Sequence, residues 1–239
     1  MQVLDLFSIR RAIWRHFLTI ILSGVLIYLF SEVHGRWDPM HRWNRATADA
    51  SFILLTLTMA LGPASRLWPI FTRFVIFRRE WGIYAIFLAM IHIVIILAGW
   101  VTWDILGIFG LAFHPTLGRY VMVQHGFGLA NLIGIVAFFY GLALMLTSSD
   151  RAVRFLGGPI WKFVQRGAYV LWALMAVHAG YFLFMHFVDY HRAVPQPNPL
   201  SWPFVSLIVL VLTLRSAAFF QVLRQARRDR KRTRPSALS

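Results

Sequence analysis

Residues Glu80 to Val101 read EWGIYAIFLAMIHIVIILAGWV, and this stretch decides the fold class. Its one charged residue is at its start, and it exceeds the roughly 20 apolar residues that a transmembrane helix needs. Six such spans are predicted: Trp14–Phe30, Ala48–Ser65, Glu80–Val101, Tyr120–Leu146, Phe163–Phe187 and Phe204–Val222. The apolar stretch Ile105–Phe113 is too short to cross and is expected to lie in the membrane interface. The predicted fold class is therefore all-α, a polytopic membrane helix bundle.

The composition agrees with a membrane protein and excludes several classes of function. Of the 239 residues, 59% are hydrophobic and 14% are charged. The chain has no cysteine, which excludes disulfides, iron–sulfur clusters and thiolate zinc sites. No nucleotide-binding loop, catalytic triad or flavin-binding domain is recognisable. No acidic residue lies in the middle of a span, which argues against a proton- or cation-coupled transporter.

The basic residues predict the orientation in the membrane. The formal net charge of +15 is concentrated in loops and in the tail that begins at Arg224. We expect this excess to set topology and to meet anionic membrane lipid, and no nucleic-acid partner is expected. The more basic side carries Arg10, Arg11, Arg15, Arg66, Arg73, Arg78, Arg79, Arg151, Arg154, Lys162, Arg166 and the tail, whereas the other side carries Arg36, Arg42, Arg45, Arg119 and Arg192. Both termini are therefore predicted to be cytoplasmic.

Two histidines, His92 and His178, lie inside predicted spans that run in the same direction. They are about 12 and 15 residues from the start of their spans, so a rise of about 1.5 Å per residue places them at similar depth in the outer half of the membrane. Two imidazoles at one depth could hold a haem from both faces. Small residues nearby would leave room for it: Ala85, Ala89, Ala173, Ala176, Ala179 and Gly180. The alternative is that each histidine only forms a hydrogen bond across the bundle.

Six further histidines lie in or beside the outer loops: His34, His41, His114, His125, His186 and His191. They could bind a metal ion or relay protons to a quinone. The favoured interpretation is that they are polar residues of the membrane interface.

Four segments resemble the ferric reductase-like transmembrane domain family. They are Leu54–Pro63 (LLTLTMALGP), Arg78–His92 (RREWGIYAIFLAMIH), Leu146–Ser149 (LTSS) and Trp161–Tyr169 (WKFVQRGAY), the last leading into His178. Within that family the chain is similar to the bacterial haem-binding membrane subunits that feed a periplasmic methionine sulfoxide reductase. The resemblance implies a four-helix haem-binding core at residues 46–187. Residues 1–45 then form an N-terminal segment with the first span, and residues 188–239 form the last span with a basic tail.

The resemblance also implies a cofactor site. It places b-type haem between His92 and His178, which would be the ligands of the haem iron. A second family position, nearer the cytoplasm, falls on Gln165 and Arg78. Glutamine is a poor iron ligand and arginine keeps its proton, so one haem is predicted and a second is doubtful. Arg78 could instead neutralise a haem propionate or a lipid phosphate. Residues 165 and 178 are 13 apart, so Gln165 would need a kink or bulge to face the cavity of His178.

The predicted function is that of an electron-transfer subunit in the bacterial inner membrane, without a complete active site of its own. It would take electrons from a quinol or a flavoprotein and pass them to a redox partner protein on the periplasmic face. A bound quinone or flavin is a further candidate cofactor. The alternative is a structural subunit of a larger membrane complex, built on the same fold, with reduced or no haem binding.

Overall fold

The computed structural model describes residues 2–123, 126–186 and 198–232. Six helices in this part of the chain are long and apolar enough to cross a membrane: Ile9–Val33, Pro39–Leu67, Pro69–Trp100, Phe127–Leu146, Gly158–Met185 and Ser201–Arg230. Each contains most of one predicted span. The predicted fold class, a polytopic membrane helix bundle, is confirmed.

Several spans consist of more than one helical segment. The α-helices are α1 (Gln2–Val33), α2 (Pro39–Leu67), α3 (Arg78–Ile95), α4 (Ile105–Ile108), α5 (Phe127–Leu146), α6 (Asp150–Leu156), α7 (Gly158–Arg166), α8 (Ala168–Gly180) and α9 (Ser201–Arg232). A 3-10 helix, Pro69–Phe77, precedes α3. Two π-helical turns, Ile96–Trp100 and Tyr181–Met185, continue α3 and α8.

Helix α2 is the most enclosed span. It begins where the Asp38 carboxylate accepts a hydrogen bond from the backbone N–H of His41, with Pro39 at the first helical position. Both features favour a helix start, because the cap satisfies a free N–H and proline has none to satisfy. Helix α2 packs against α1, α3 and α9. It is therefore the centre around which the other spans are arranged.

The core joins five of the spans. Its buried residues are Ala50, Phe52, Leu54, Leu55 and Met59 of α2, Ala85, Ile86 and Leu88 of α3, Ala137 and Leu144 of α5, Leu171 and Trp172 of α8, and Phe204 and Val211 of α9. Two polar links between the described residues cross this core: the Trp172 indole N–H donates to Thr56 Oγ1 at 3.1 Å, and the Ser51 hydroxyl donates to the Ala85 carbonyl at 2.7 Å. The remaining apolar side chains mostly face outward, as expected for a protein surrounded by lipid.

The predicted start of the fourth span at Tyr120 is wrong. Tyr120 lies in β2 (Arg119–Met122), which pairs in antiparallel register with β1 (Leu111–His114). Gly118, with a φ of +58°, lies in the turn between the strands, and α5 begins only at Phe127. The stretch expected in the interface, Ile105–Phe113, is shared between α4 and β1. A small hairpin thus precedes α5 in the bundle.

Candidate functional site

His92 is held by a backbone carbonyl of a neighbouring helix. It lies near the end of α3, and its Nδ1 is 3.0 Å from the carbonyl oxygen of Asn44 in α2. A carbonyl oxygen can only accept, so Nδ1 carries the proton and donates. In the neutral ring, Nε2 then has a free lone pair. This is the tautomer that a metal-binding imidazole requires when it ligates through Nε2.

His178 repeats this arrangement on another pair of helices. It lies near the end of α8, and its Nδ1 donates to the carbonyl oxygen of Ala130 in α5 at 2.7 Å. Neither Nε2 forms a hydrogen bond with the described residues. Both side chains are partly buried. Both imidazoles are therefore held in the same tautomer, with the proton on Nδ1. Each is fixed by a backbone carbonyl of a neighbouring helix.

The backbone that follows each histidine is unusual in the same way. The carbonyl of His92 accepts from Ile96, where the first π-helical turn starts, and the carbonyl of His178 accepts from Tyr181, where the second starts. Such turns are rare and are frequently found at functional sites. One such turn follows each candidate ligand, which supports a functional role for this part of the bundle.

The small residues expected near the histidines have different positions. Ala85 is fully buried, and its carbonyl accepts a hydrogen bond from Ser51 Oγ at 2.7 Å. Ala89, Ala176, Ala179 and Gly180 are partly buried. Ala173 is exposed and lies in a shallow groove with Val170 and Val177. It therefore faces away from the interior, contrary to expectation.

Arg78 and Gln165, predicted from sequence for a second level, do come together. Both line a cavity of about 1020 Å³ at the more basic end of the bundle. Arg78 Nε donates to the Thr58 carbonyl at 3.1 Å. The Gln165 amide donates to the Leu144 carbonyl at 3.2 Å and to Thr147 Oγ1 at 3.1 Å. No histidine is among the described residues that line the cavity.

Three properties of this cavity were not foreseen from the sequence. Gly62, Gly82 and Gly141 contribute to its wall from three different spans, which gives it room. Arg215 joins it from the last span, stacked over the Tyr169 ring at 3.4 Å. Six basic residues line it, and no Asp or Glu is among the described lining residues: Arg66, Arg78, Arg79, Lys162, Arg166 and Arg215. The cavity thus suits an anionic group.

The break needed to bring Gln165 to this cavity lies at Gly167. Helix α7 ends at Arg166 and α8 begins at Ala168. A side chain at position 167 would collide with the Tyr140 hydroxyl of α5, so the break is packed tightly against its neighbour. Gln165 lines this cavity, whereas His178 is not among the residues that line it. The two levels of the bundle are therefore separate sites.

The outer histidines are scattered. His34 Nε2 lies 2.7 Å from Asp49 Oδ2, and His41 pairs with Asp38. His186 packs against the ring of Phe127, and His114 lies in the hairpin. His125 and His191 lie outside the described residues. In the part of the chain that the structure describes, no group of three or more His, Cys, Asp or Glu side chains could hold a metal ion.

Comparison with known proteins identifies the family. The family model described as "Ferric reductase like transmembrane component" matches residues 47–176, which are 130 of the 239 residues. The chain belongs to the ferric reductase-like transmembrane family. The matched region includes His92, Arg78 and Gln165 and ends two residues before His178.

The chain is similar in sequence to two kinds of named protein. The magnetosome protein MamZ of Magnetospirillum gryphiswaldense is 26% identical over 191 residues, which are 72% of this chain but only 26% of MamZ. The protein-methionine-sulfoxide reductase heme-binding subunit MsrQ of Ralstonia nicotianae is 27% identical over 176 residues, 72% of this chain and 71% of MsrQ. MsrQ of Herminiimonas arsenicoxydans is 29% identical over 143 residues, 59% of this chain and 58% of that protein. No solved structure matches the chain.

Proposed function

We propose that this chain is a membrane electron-transfer subunit that binds one b-type haem between His92 and His178. The observation that carries the proposal is the shared geometry of the two imidazoles. Each donates its Nδ1 proton to a backbone carbonyl and keeps Nε2 free for a metal. Family membership and the name of the MsrQ relatives, which are heme-binding subunits, support the same function.

The residues at this level fit a haem iron held by two ligands. Neutral imidazole is a common axial ligand of haem, and a hydrogen bond from its other nitrogen fixes the ring and makes it more basic. His92 and His178 would hold the iron through Nε2. Asn44 and Ala130 would hold the two rings through their carbonyls. The haem itself supplies one-electron transfer, while the surrounding spans exclude water and set the potential.

The residues at the proposed cytoplasmic end of the bundle favour one haem per chain over two. Gln165 and Arg78 are engaged with backbone and hydroxyl groups, and neither residue type is a good iron ligand. We propose that the cavity they line, with its basic wall, receives the electron donor. A quinol or a flavin bound there would shorten the path through the inner leaflet to the outer haem. The redox partner that accepts the electrons would meet the opposite, periplasmic face.

The remaining parts of the proposal follow from topology. We propose that the protein lies in the bacterial inner membrane with both termini in the cytoplasm, because the basic residues are concentrated on that side. We further propose that residues 46–187 form the haem-binding core, with residues 1–45 and 188–239 as flanking segments. The family match to residues 47–176 supports this division.

The test is the haem content and absorption spectrum of the purified protein and its variants. His92→Ala and His178→Ala should each abolish or severely reduce bound haem, since each leaves one axial position open. His114→Ala is the matched control, because His114 is an exposed histidine of the hairpin. Normal six-coordinate spectra in both variants would refute the assignment of the ligands. A wild-type protein that binds no haem when expressed with ample haem would favour the structural-subunit alternative.

A further inference from the structure

A glycine of α5 lies directly against the imidazole of His178. A Cβ atom added at Gly134 would lie 2.7 Å from both Cε1 and Nδ1 of His178 and 3.2 Å from Nε2. Real Cβ atoms essentially never approach other heavy atoms to less than 3.0 Å. Hydrogen is therefore the only side chain that fits at this position while His178 keeps its place.

The same glycine also leaves a carbonyl open. Ala130, whose carbonyl accepts from His178 Nδ1, lies four residues before Gly134, that is, one helical turn earlier. In an α-helix each Cα–Cβ bond tilts toward the N-terminus, so a side chain covers the preceding turn. A side chain at position 134 would thus cover the region where the imidazole meets the carbonyl of Ala130.

The size of the effect follows from these distances. Real Cβ atoms do not come within 3.0 Å of another heavy atom, and ordinary van der Waals contact begins at 3.4 Å, so the imidazole would have to move by about 0.3 to 0.7 Å. The hydrogen bond from Nδ1 to Ala130 is now 2.7 Å long. Movement away from α5, which carries the Ala130 carbonyl, would lengthen this bond to at most about 3.0–3.4 Å, toward or past the end of the usual range of about 2.7–3.2 Å. Adding one methyl group would thus weaken the contact that fixes the tautomer.

We propose that Gly134 is a positioning residue for His178, which keeps the Ala130 carbonyl open to Nδ1 and so directs Nε2 toward the iron. The proposal rests on the proposed haem ligation. Gly134 touches neither the iron nor a substrate in this scheme. It acts through the histidine, as the groups behind metal ligands commonly do.

The experiment uses Gly134→Ala in the full-length protein. Loss of a group that orients a metal ligand typically lowers affinity by about 10- to 100-fold, and we expect a loss of that order in haem affinity. The haem that remains should lose its six-coordinate spectrum, and its reduced form should bind carbon monoxide, as the reduced haem of a five-coordinate site does. Carbon monoxide binding reports the open axial position and would not change if the glycine were only structural.

The matched control is Gly24→Ala. Gly24 is also inside a transmembrane helix, and a Cβ added there meets nothing within 4 Å. This variant should have the haem affinity and spectrum of the wild type. If Gly134→Ala also matches the wild type, or if Gly24→Ala shows the same loss, the positioning role of Gly134 is refuted while haem binding stands. A wild-type chain without haem would instead refute the proposed function itself.

A second variant covers the case in which Gly134→Ala does not fold. In the double variant Gly134→Ala/His178→Ala the imidazole is absent, so the added methyl group has space. The double variant should then fold as well as His178→Ala alone, measured by thermal unfolding without haem. If it also fails to fold, the obstacle at position 134 is not the imidazole, and the inference is wrong.

Discussion

A buried ion pair between α1 and α3 allows a quantitative test of how the first span is attached. Arg15 Nε lies 2.9 Å from Glu80 Oε1, and the two side chains are 32% and 3% exposed. The second carboxylate oxygen, Oε2, is buried and has no hydrogen-bond partner among the described residues. Glu80 thus depends on Arg15, whereas a third of the Arg15 side chain already reaches the surroundings.

This difference in exposure predicts that the two single variants lose different amounts of stability. Arg15→Ala leaves a buried carboxylate without its partner, and breaking a buried pair in this way costs about 3–5 kcal/mol. Glu80→Ala leaves a guanidinium that is about one-third exposed and can be resolvated in part. Only the attraction of the ion pair is lost, so this variant should cost less, about 1 kcal/mol. For a chain of this size, a loss of 3 kcal/mol corresponds to a fall in Tm of roughly 6–12 °C.

The assay is reversible unfolding in mixed micelles for the two single variants and the double variant. The double-mutant cycle should give a coupling energy above about 1 kcal/mol. The order of the single variants is the decisive result. If Glu80→Ala is as destabilising as Arg15→Ala, or if the coupling is close to zero, then the carboxylate does not depend on the arginine and the reasoning fails.

Four further predictions concern the number of haems per chain, the membrane topology, a hydrogen bond in the core and the pH dependence of a helix cap. A haem assay normalised to protein should give one haem per chain. Two haems per chain would contradict the proposal that the cavity lined by Arg78 and Gln165 holds no haem. A reporter fused after Ser239 should be active only in the cytoplasm. Trp172→Phe should destabilise by about 1 kcal/mol because Thr56 loses its indole donor, and adding Thr56→Val should recover part of that loss in the same unfolding assay. The backbone N–H of His41 holds the pKa of the Asp38 carboxyl below its ordinary value of 3.8. Asp38 should therefore cap α2 fully at pH values above 3.8 and lose this role only as the pH falls through its lowered pKa. An NMR titration of the Asp38 carboxyl would follow this change.

The spans were predictable because their signal is local. A run of about 20 apolar residues identifies a membrane helix without knowledge of its neighbours. The start of the fourth span was not predictable, because Val121 and Met122 are apolar like the helix that follows them. What separates them is a pairing with residues 111–114, and pairing is not visible in hydropathy.

The candidate site was predictable only in part. A histidine within an apolar span is conspicuous, and counting along the helices placed His92 and His178 at one level. Their partners were hidden, because Asn44 and Ala130 act through backbone carbonyls that every residue possesses. Gly134 was hidden for a related reason: many glycines occur in the spans, and only packing shows which one faces an imidazole.

The cavity at the inner level depends on residues far apart in the chain. Arg78 and Gln165 were paired by resemblance, but Arg215 comes from the last span and reaches the cavity only because α9 closes the bundle. Hydropathy treats Arg215 as an interruption in an apolar helix. Its role as part of the cavity wall is a property of the assembled fold.

The two π-helical turns bear on how this protein can change over evolutionary time. Such a turn can arise when one residue is inserted into an α-helix, and deleting one residue restores the regular helix. Insertions and deletions at Ile96–Trp100 or Tyr181–Met185 would be absorbed locally, since the helix before each turn is already complete. His92 and His178 both lie before the turns. The segments that follow these turns can therefore gain or lose residues while the helices that carry His92 and His178 keep their register.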